Sequence, residues 1–102
     1  QAKIIASIVP EKFELFQNYP NPFNFGTLIK YALPEESNVK IVIYNLLGQK
    51  VRVLVEDAQS PGYYTIYWDG RNDRGEDITS GIYFYRIQTG SFTKTAKMSL
   101  LK

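Results

Sequence analysis

Short runs of alternating apolar and polar residues, separated by turn-forming residues, make up most of this chain. The clearest spans 27–33, where Ile29, Tyr31 and Leu33 alternate with Leu28, Lys30 and Ala32. Val39, Ile41 and Ile43 share one face of a run over 39–44. Tyr64, Ile66 and Trp68 share a face over 63–68. A period of two places alternate side chains on opposite faces of an extended strand. Further runs at 13–17, 50–55, 82–88 and 92–101 bring the number of expected strands to seven. The breaks between them carry turn chemistry: Pro34 with Glu35-Glu36-Ser37, Asn45-Leu46-Leu47-Gly48, Ser60-Pro61-Gly62, a polar loop over 69–80, and Thr89-Gly90-Ser91. No stretch has a competing helical period. Strands rich in Val, Ile, Tyr and Phe, with turns every 8–12 residues or so, predict an all-β sandwich of about seven antiparallel strands. In the last run, Phe92, Ala96, Met98 and Leu100 are expected to face inward together with Lys94. Thr93, Thr95, Lys97 and Ser99 are expected to face solvent.

Composition narrows the functional classes. The 102 residues fit one domain and can build a two-layer core without a staple. The net charge of +2, with both signs scattered, leaves no electrostatic footprint for nucleic acid. No apolar run is long enough for a membrane-spanning helix, so membrane insertion is not expected. Cysteine and histidine are both absent. Thiol redox chemistry and thiolate metal sites are therefore excluded, and the commonest general base is missing. Ser60, Ser80 and Ser91 have no histidine to activate them, and no oxyanion-hole motif accompanies a lysine base. The acid pairs Glu35-Glu36 and Glu56-Asp57 fall in turns and read as solvated. Neither catalysis nor a cofactor is expected.

Three features carry alternatives. The loop from Asp69 to Asp77 is rich in oxygen donors, but its spacing does not match an EF-hand and two arginines intervene. A hydrogen-bonded turn capped by Asp69 fits better than a calcium site. Tyr83 fits plain core packing better than a tyrosine corner. Tyr63, Tyr67 and Tyr85, where exposed, would suit sugar stacking, with Tyr63, Thr65 and Tyr67 on one face. Gly48, Gly62, Gly70, Gly75 and Gly81 are expected to serve turns.

Four stretches carry a family resemblance. They are FELFQNYPNPFN over 13–24 with TLIKYALP over 27–34; VKIVIYNLLGQKV over 39–51; PGY at 61–63 through WDG at 68–70 with Asn72 and Gly75; and SGIYFYR over 80–86 closed by KMSLLK over 97–102. On these residues the chain resembles the type A C-terminal sorting domain of type IX secretion substrates, related to the immunoglobulin-like module of flagellar hook-capping proteins. Phe25-Gly26 departs from the family, which usually has proline and a small polar residue there.

The resemblance implies an immunoglobulin-like fold over 13–102 and a linker from an upstream cargo domain over 1–12. A start at Gln1 is expected of a piece of a longer chain, and Ile4 to Val9 could instead add an edge strand. The implied partners are the outer-membrane secretion machinery and a sortase-like protease. The implied location is the periplasm in transit, then the cell surface or medium. The implied recognition residues fall in two groups. Tyr19, Pro20, Asn21, Pro22 and Phe23 form the first; the residues themselves fit a rigid crossover between strands better than a docking epitope, with Tyr19 and Phe23 pinning the segment to the sandwich edge. Lys94, Lys97, Met98, Leu100, Leu101 and Lys102 form the second, on a last strand that is either offered for strand addition or simply closes the sheet with lysines that discourage aggregation. A structural spacer or assembly module, or a carbohydrate-binding module, remains the alternative.

Overall fold

The structure is a computed structural model and describes residues 9–102. The suggested edge strand over 4–9 lies outside the described residues, apart from the exposed Val9. The described residues form seven strands: β1 (Glu14–Leu15), β2 (Thr27–Leu33), β3 (Ser37–Tyr44), β4 (Lys50–Gln59), β5 (Gly62–Trp68), β6 (Gly81–Gln88) and β7 (Thr93–Leu100). Two antiparallel sheets result, a three-stranded sheet ordered β1-β2-β5 and a four-stranded sheet ordered β4-β3-β6-β7.

The alternation read from the sequence becomes the core. Ile29, Tyr31, Leu33 and Trp68 face inward from one sheet. Ile41, Ile43, Tyr85, Ile87, Met98 and Leu100 meet them from the other. Removing such side chains from water drives the two layers together. The Tyr31 and Tyr64 rings stack at 5.2 Å, and Trp68 meets Phe23 and Tyr83 at tilted and edge-on angles. Tyr31 keeps its buried hydroxyl satisfied by donating to Gln59 Oε1 at 2.7 Å. The seventh strand follows its expected faces, with Lys94 exposed despite its inward phase.

Strand boundaries depart from expectation where pairing, not hydrophobicity, decides them. β4 runs on to Gln59 because Glu56, Asp57, Ala58 and Gln59, though mostly polar, pair with Lys40, Val39, Asn38 and Ser37. A Lys40–Glu56 ion pair at 3.9 Å lies on that ladder. Conversely, the run expected over 13–17 holds only two residues of regular strand.

Two tyrosines tie loop to strand. Tyr83 donates to the Thr79 carbonyl at 2.8 Å, four residues upstream, and Tyr64 donates to the Ser60 carbonyl at 2.6 Å. Tyr83 therefore packs in the core, as expected, and forms a tyrosine corner as well. The hydroxyl anchors the chain at the point where it re-enters a sheet.

Gly70 and Gly26 serve backbone geometry in different ways. Gly70 is buried and sits at φ +75°, which a side chain disfavours. At Gly26, the tip of the Tyr67 ring fills the space a Cβ would need. Tyr67 is exposed and can swing aside. Gly70→Ala is therefore expected to cost about 1–2 kcal/mol through its left-handed backbone, and Gly26→Ala about 0.5–1 kcal/mol. Urea unfolding followed by Trp68 fluorescence orders the two, and the reverse order would contradict this account.

Candidate recognition surface

The two segments singled out in the sequence meet in space. After β1 the chain continues along β2: Phe16 N–H donates to Lys30 O at 3.0 Å, and Tyr19 exchanges a pair of 2.9 Å hydrogen bonds with Leu28. It then crosses to the other sheet. Phe23 N–H donates to Ser99 O at 3.0 Å, and Leu101 N–H donates to Phe23 O at 2.8 Å. Asn21 Oδ1 accepts from Ser99 N–H at 2.9 Å, and Gln17 Nε2 donates to Lys97 O at 2.7 Å. The segment over 17–23 thus closes one side of the sandwich and covers the C-terminal half of the β7 edge.

Side chains hold this crossover in shape. Asn18 is buried and donates through Nδ2 to Thr27 Oγ1 at 3.0 Å and Pro20 O at 3.2 Å. Thr27 Oγ1 donates to the same carbonyl at 2.9 Å. The Tyr85 hydroxyl accepts from Asn18 N–H at 2.8 Å and donates to Phe16 O at 2.7 Å. Burial pushes the Tyr85 phenol up to about 12, and the Asn18 N–H pulls weakly the other way. Both proline bonds, Tyr19–Pro20 and Asn21–Pro22, are cis.

Several expectations are corrected here. Phe23 is 2% exposed and pins the segment, whereas the Tyr19 ring is 76% exposed and pins nothing. Tyr19 is held through its backbone instead. The edge of β7 is not freely offered over its last residues, because Ser99 and Leu101 already bond the crossover. Met98 and Leu100 are core side chains, closed to any partner. Tyr85 is wholly buried and cannot stack a sugar, although Tyr63 and Tyr67 are exposed as that reading required. Of the expected recognition residues, Tyr19, Pro20, Asn21, Pro22, Lys94, Lys97, Leu101 and Lys102 present exposed surface.

The polar loop sits at one end of the same surface. Asp69 Oδ1 accepts from Arg71 N–H at 3.1 Å, the turn cap expected of it. Its other neighbour is Arg52, at 3.0 Å. Asp73 also faces Arg52, and Asp77 faces Arg71 and Lys102. The carboxylates are thus spent on cations of the chain itself. Among the described residues, no group of three or more metal-ligating side chains comes together. Gly48, Gly70 and Gly75 take left-handed turns, and Gly62 and Gly81 open β5 and β6. A shallow cleft of about 450 Å³, lined by Asn24, Phe25, Asp69, Arg71, Asp77 and Lys102, lies beside the crossover. Lys102 is fixed at its rim by Ser80 Oγ, which accepts from its N–H at 2.9 Å.

The family model of the FlgD Ig-like domain matches residues 25–91. The chain belongs to the FlgD Ig-like domain family. Both partners in the crossover, the 17–23 segment and β7, lie outside the stretch that the FlgD Ig-like model matches. No curated protein matches the chain. Two solved structures from Porphyromonas gingivalis share the Ig-like fold. One is dimeric latent PorU, at 21% identity and a TM-score of 0.72, over 92% of this chain and 10% of that one. The other is PorZ, described as an essential bacterial surface component of the type-IX secretion system, at 17% identity and a TM-score of 0.54. That match covers 90% of this chain and 12% of PorZ. The chain therefore spans only a small part of either protein, and at these identities the likeness is one of fold.

Proposed function

We propose that this domain is the non-catalytic export and sorting module of a larger secreted protein, directing its cargo across the outer membrane by the type IX secretion system. The observation that carries this reading is the crossover itself. The QNYPNPFN segment, the most specific string of the sorting-domain resemblance, and the KMSLLK end are hydrogen-bonded into one surface. The shared fold with PorZ, a component of that system, supports it.

The secretion machinery would read this surface through its exposed groups: the Tyr19 ring, the Pro20-Asn21-Pro22 ridge, Lys97, Leu101 and Lys102. A sortase-like protease would then cut upstream of Phe13 and leave the cargo at the cell surface or in the medium. Recognition by strand addition is confined to the N-terminal half of the β7 edge, which the crossover leaves uncovered.

Fusing residues 1–102 to a periplasmic reporter, in a host that has the type IX system, is expected to move the reporter to the cell surface. Removing 97–102 is a poor test, because it also takes Met98 and Leu100 from the core. Tyr19→Ser combined with Lys97→Glu alters only exposed side chains and is expected to leave most of the reporter in the periplasm. Retention of the unaltered fusion there would refute the sorting role. Export undiminished by the double substitution would refute this surface as the signal.

A further inference from the structure

Among the described residues the sandwich has four sheet edges, and one of them is undefended. On one side, β1 and β7 are bridged by the 17–23 crossover, and β7 also carries Lys94 and Lys97. On the other side, β4 bears Lys50, Arg52, Glu56 and Asp57. Its edge is partly taken by Asp73, which donates its N–H to Val51 O at 3.0 Å and accepts from Val53 N–H at 3.1 Å. Charges, bulges and covering loops are the usual protection of an edge strand. β5, with the sequence GYYTIYW, has no charge, no proline and no register shift against β2.

Its open hydrogen-bonding groups can be assigned. Leu28 and Lys30 turn their backbone groups towards Tyr19 and Phe16, on the β1 side. Alternation then leaves Thr27, Ile29, Tyr31 and Leu33 to bond β5, through their register partners Trp68, Ile66, Tyr64 and Gly62. Tyr63, Thr65 and Tyr67 must therefore turn their N–H and C=O groups away from β2. No backbone partner for them occurs among the described residues.

We infer that this edge pairs with β5 of a second copy of the chain, antiparallel about Thr65. The pattern is self-complementary, as a two-fold interface requires. Thr65 falls opposite Thr65 of the second copy, and Tyr63 opposite Tyr67. All three are the residues with outward backbone groups, so every bond in the new ladder finds a partner. On the outer face, Tyr63 and Tyr67, 62% and 57% exposed, form two cross-strand aromatic pairs. On the inner face, Tyr64 meets Ile66. No like charges are brought together, as pairing two β4 edges or two β7 edges would do. One short strand edge covers less than the roughly 1,200–2,000 Å² of a standard stable interface, so the dimer forms at high concentration or where parent molecules are crowded. This inference does not depend on the export reading.

The chain has no cysteine, so single-cysteine cross-linking is clean. Thr65→Cys places two thiols on the two-fold axis, within the Cα separation of about 4.4–6.8 Å that a disulfide spans. It is expected to form covalent dimer at least about tenfold faster than Thr95→Cys, an exposed position on β7. Equal rates would overturn the pairing. Sedimentation of the 102-residue chain up to about 1 mM is expected to detect reversible dimer, weakened at least about tenfold by Thr65→Pro or Tyr67→Lys. The Thr65 N–H bonds no described residue, so proline there removes no bond of the ladder with β2. Tyr67→Lys serves should that variant lose its far-UV spectrum. A chain that stays monomeric, including one whose edge instead takes another protein's strand, or a dimer indifferent to the folded variants, would overturn the inference.

Discussion

Replacing Phe23 with alanine is expected to destabilise the domain by about 3–5 kcal/mol, the range for removing a buried aromatic ring. The ring is 2% exposed and lies 5.6 Å from the Trp68 ring, tilted at 59°. Its loss leaves a cavity beside the largest side chain of the core. The backbone of the same residue makes the two hydrogen bonds to Ser99 and Leu101 that seal the β7 edge. Without the ring, the crossover loses its apolar anchor and rests on its hydrogen bonds alone. Domains of this size have a total stability of about 5–15 kcal/mol, so the loss is a large fraction of the whole. Urea unfolding followed by Trp68 fluorescence is expected to show a lower midpoint. Tyr19→Ala, which removes a ring 76% exposed, is expected to change stability by no more than about 0.5 kcal/mol. Equal effects at the two positions would mean that the crossover is not pinned as described. If the Phe23 variant fails to fold, Phe23→Leu keeps an apolar anchor and is expected to fall between the two.

The contrast between these neighbouring aromatics marks what the sequence could convey. Period-two alternation specifies which face of a strand a residue occupies, and it located Trp68, Ile29 and Ile41 in the core. It is silent about which edge a strand presents and to whom. The bond from Ser99 to Asn21 joins residues 78 apart, and its information lies in backbone geometry. Both segments of the crossover were legible as motifs, but their meeting was not. Tyr19 and Phe23 look alike in a proline-rich run with no period to separate them. The cap at Asp69 and the turn glycines were legible because each acts within a few residues. Buried polar groups were the other gap. Asn18 is 2% exposed, in a stretch whose asparagines read as turn formers. The residue that satisfies its N–H is Tyr85, 67 positions away. Tyr85 itself has the inward phase of Ile87 on β6, so its burial follows from alternation although its hydrogen-bond partners do not.

Tyr85→Phe is expected to cost about 2–4 kcal/mol at neutral pH, although the ring stays in place. The hydroxyl accepts from Asn18 N–H and donates to the Phe16 carbonyl. Its removal leaves two backbone groups in the closed side of the sandwich without partners, each costing about 1–3 kcal/mol before water enters. The same hydroxyl sets a pH dependence. Burial raises the native phenol to about 12, while an unfolded tyrosine titrates near its ordinary 10. The native state therefore holds this proton more tightly than the unfolded state. Its contribution is fully present below pH 10 and is lost as pH rises through about 12. Two pH units of separation correspond to about 2–3 kcal/mol at the end of that window. Tyr31, also raised by burial and only partly offset by its bond to Gln59, adds a loss of the same sign. Urea midpoints measured from pH 7 to pH 12 are expected to be flat for the unaltered domain until about pH 10 and to fall steeply after it. The Tyr85→Phe variant starts lower and keeps only the shallower loss due to Tyr31. Parallel curves for the two proteins above pH 10 would mean that ionisation of this phenol does not open the crossover.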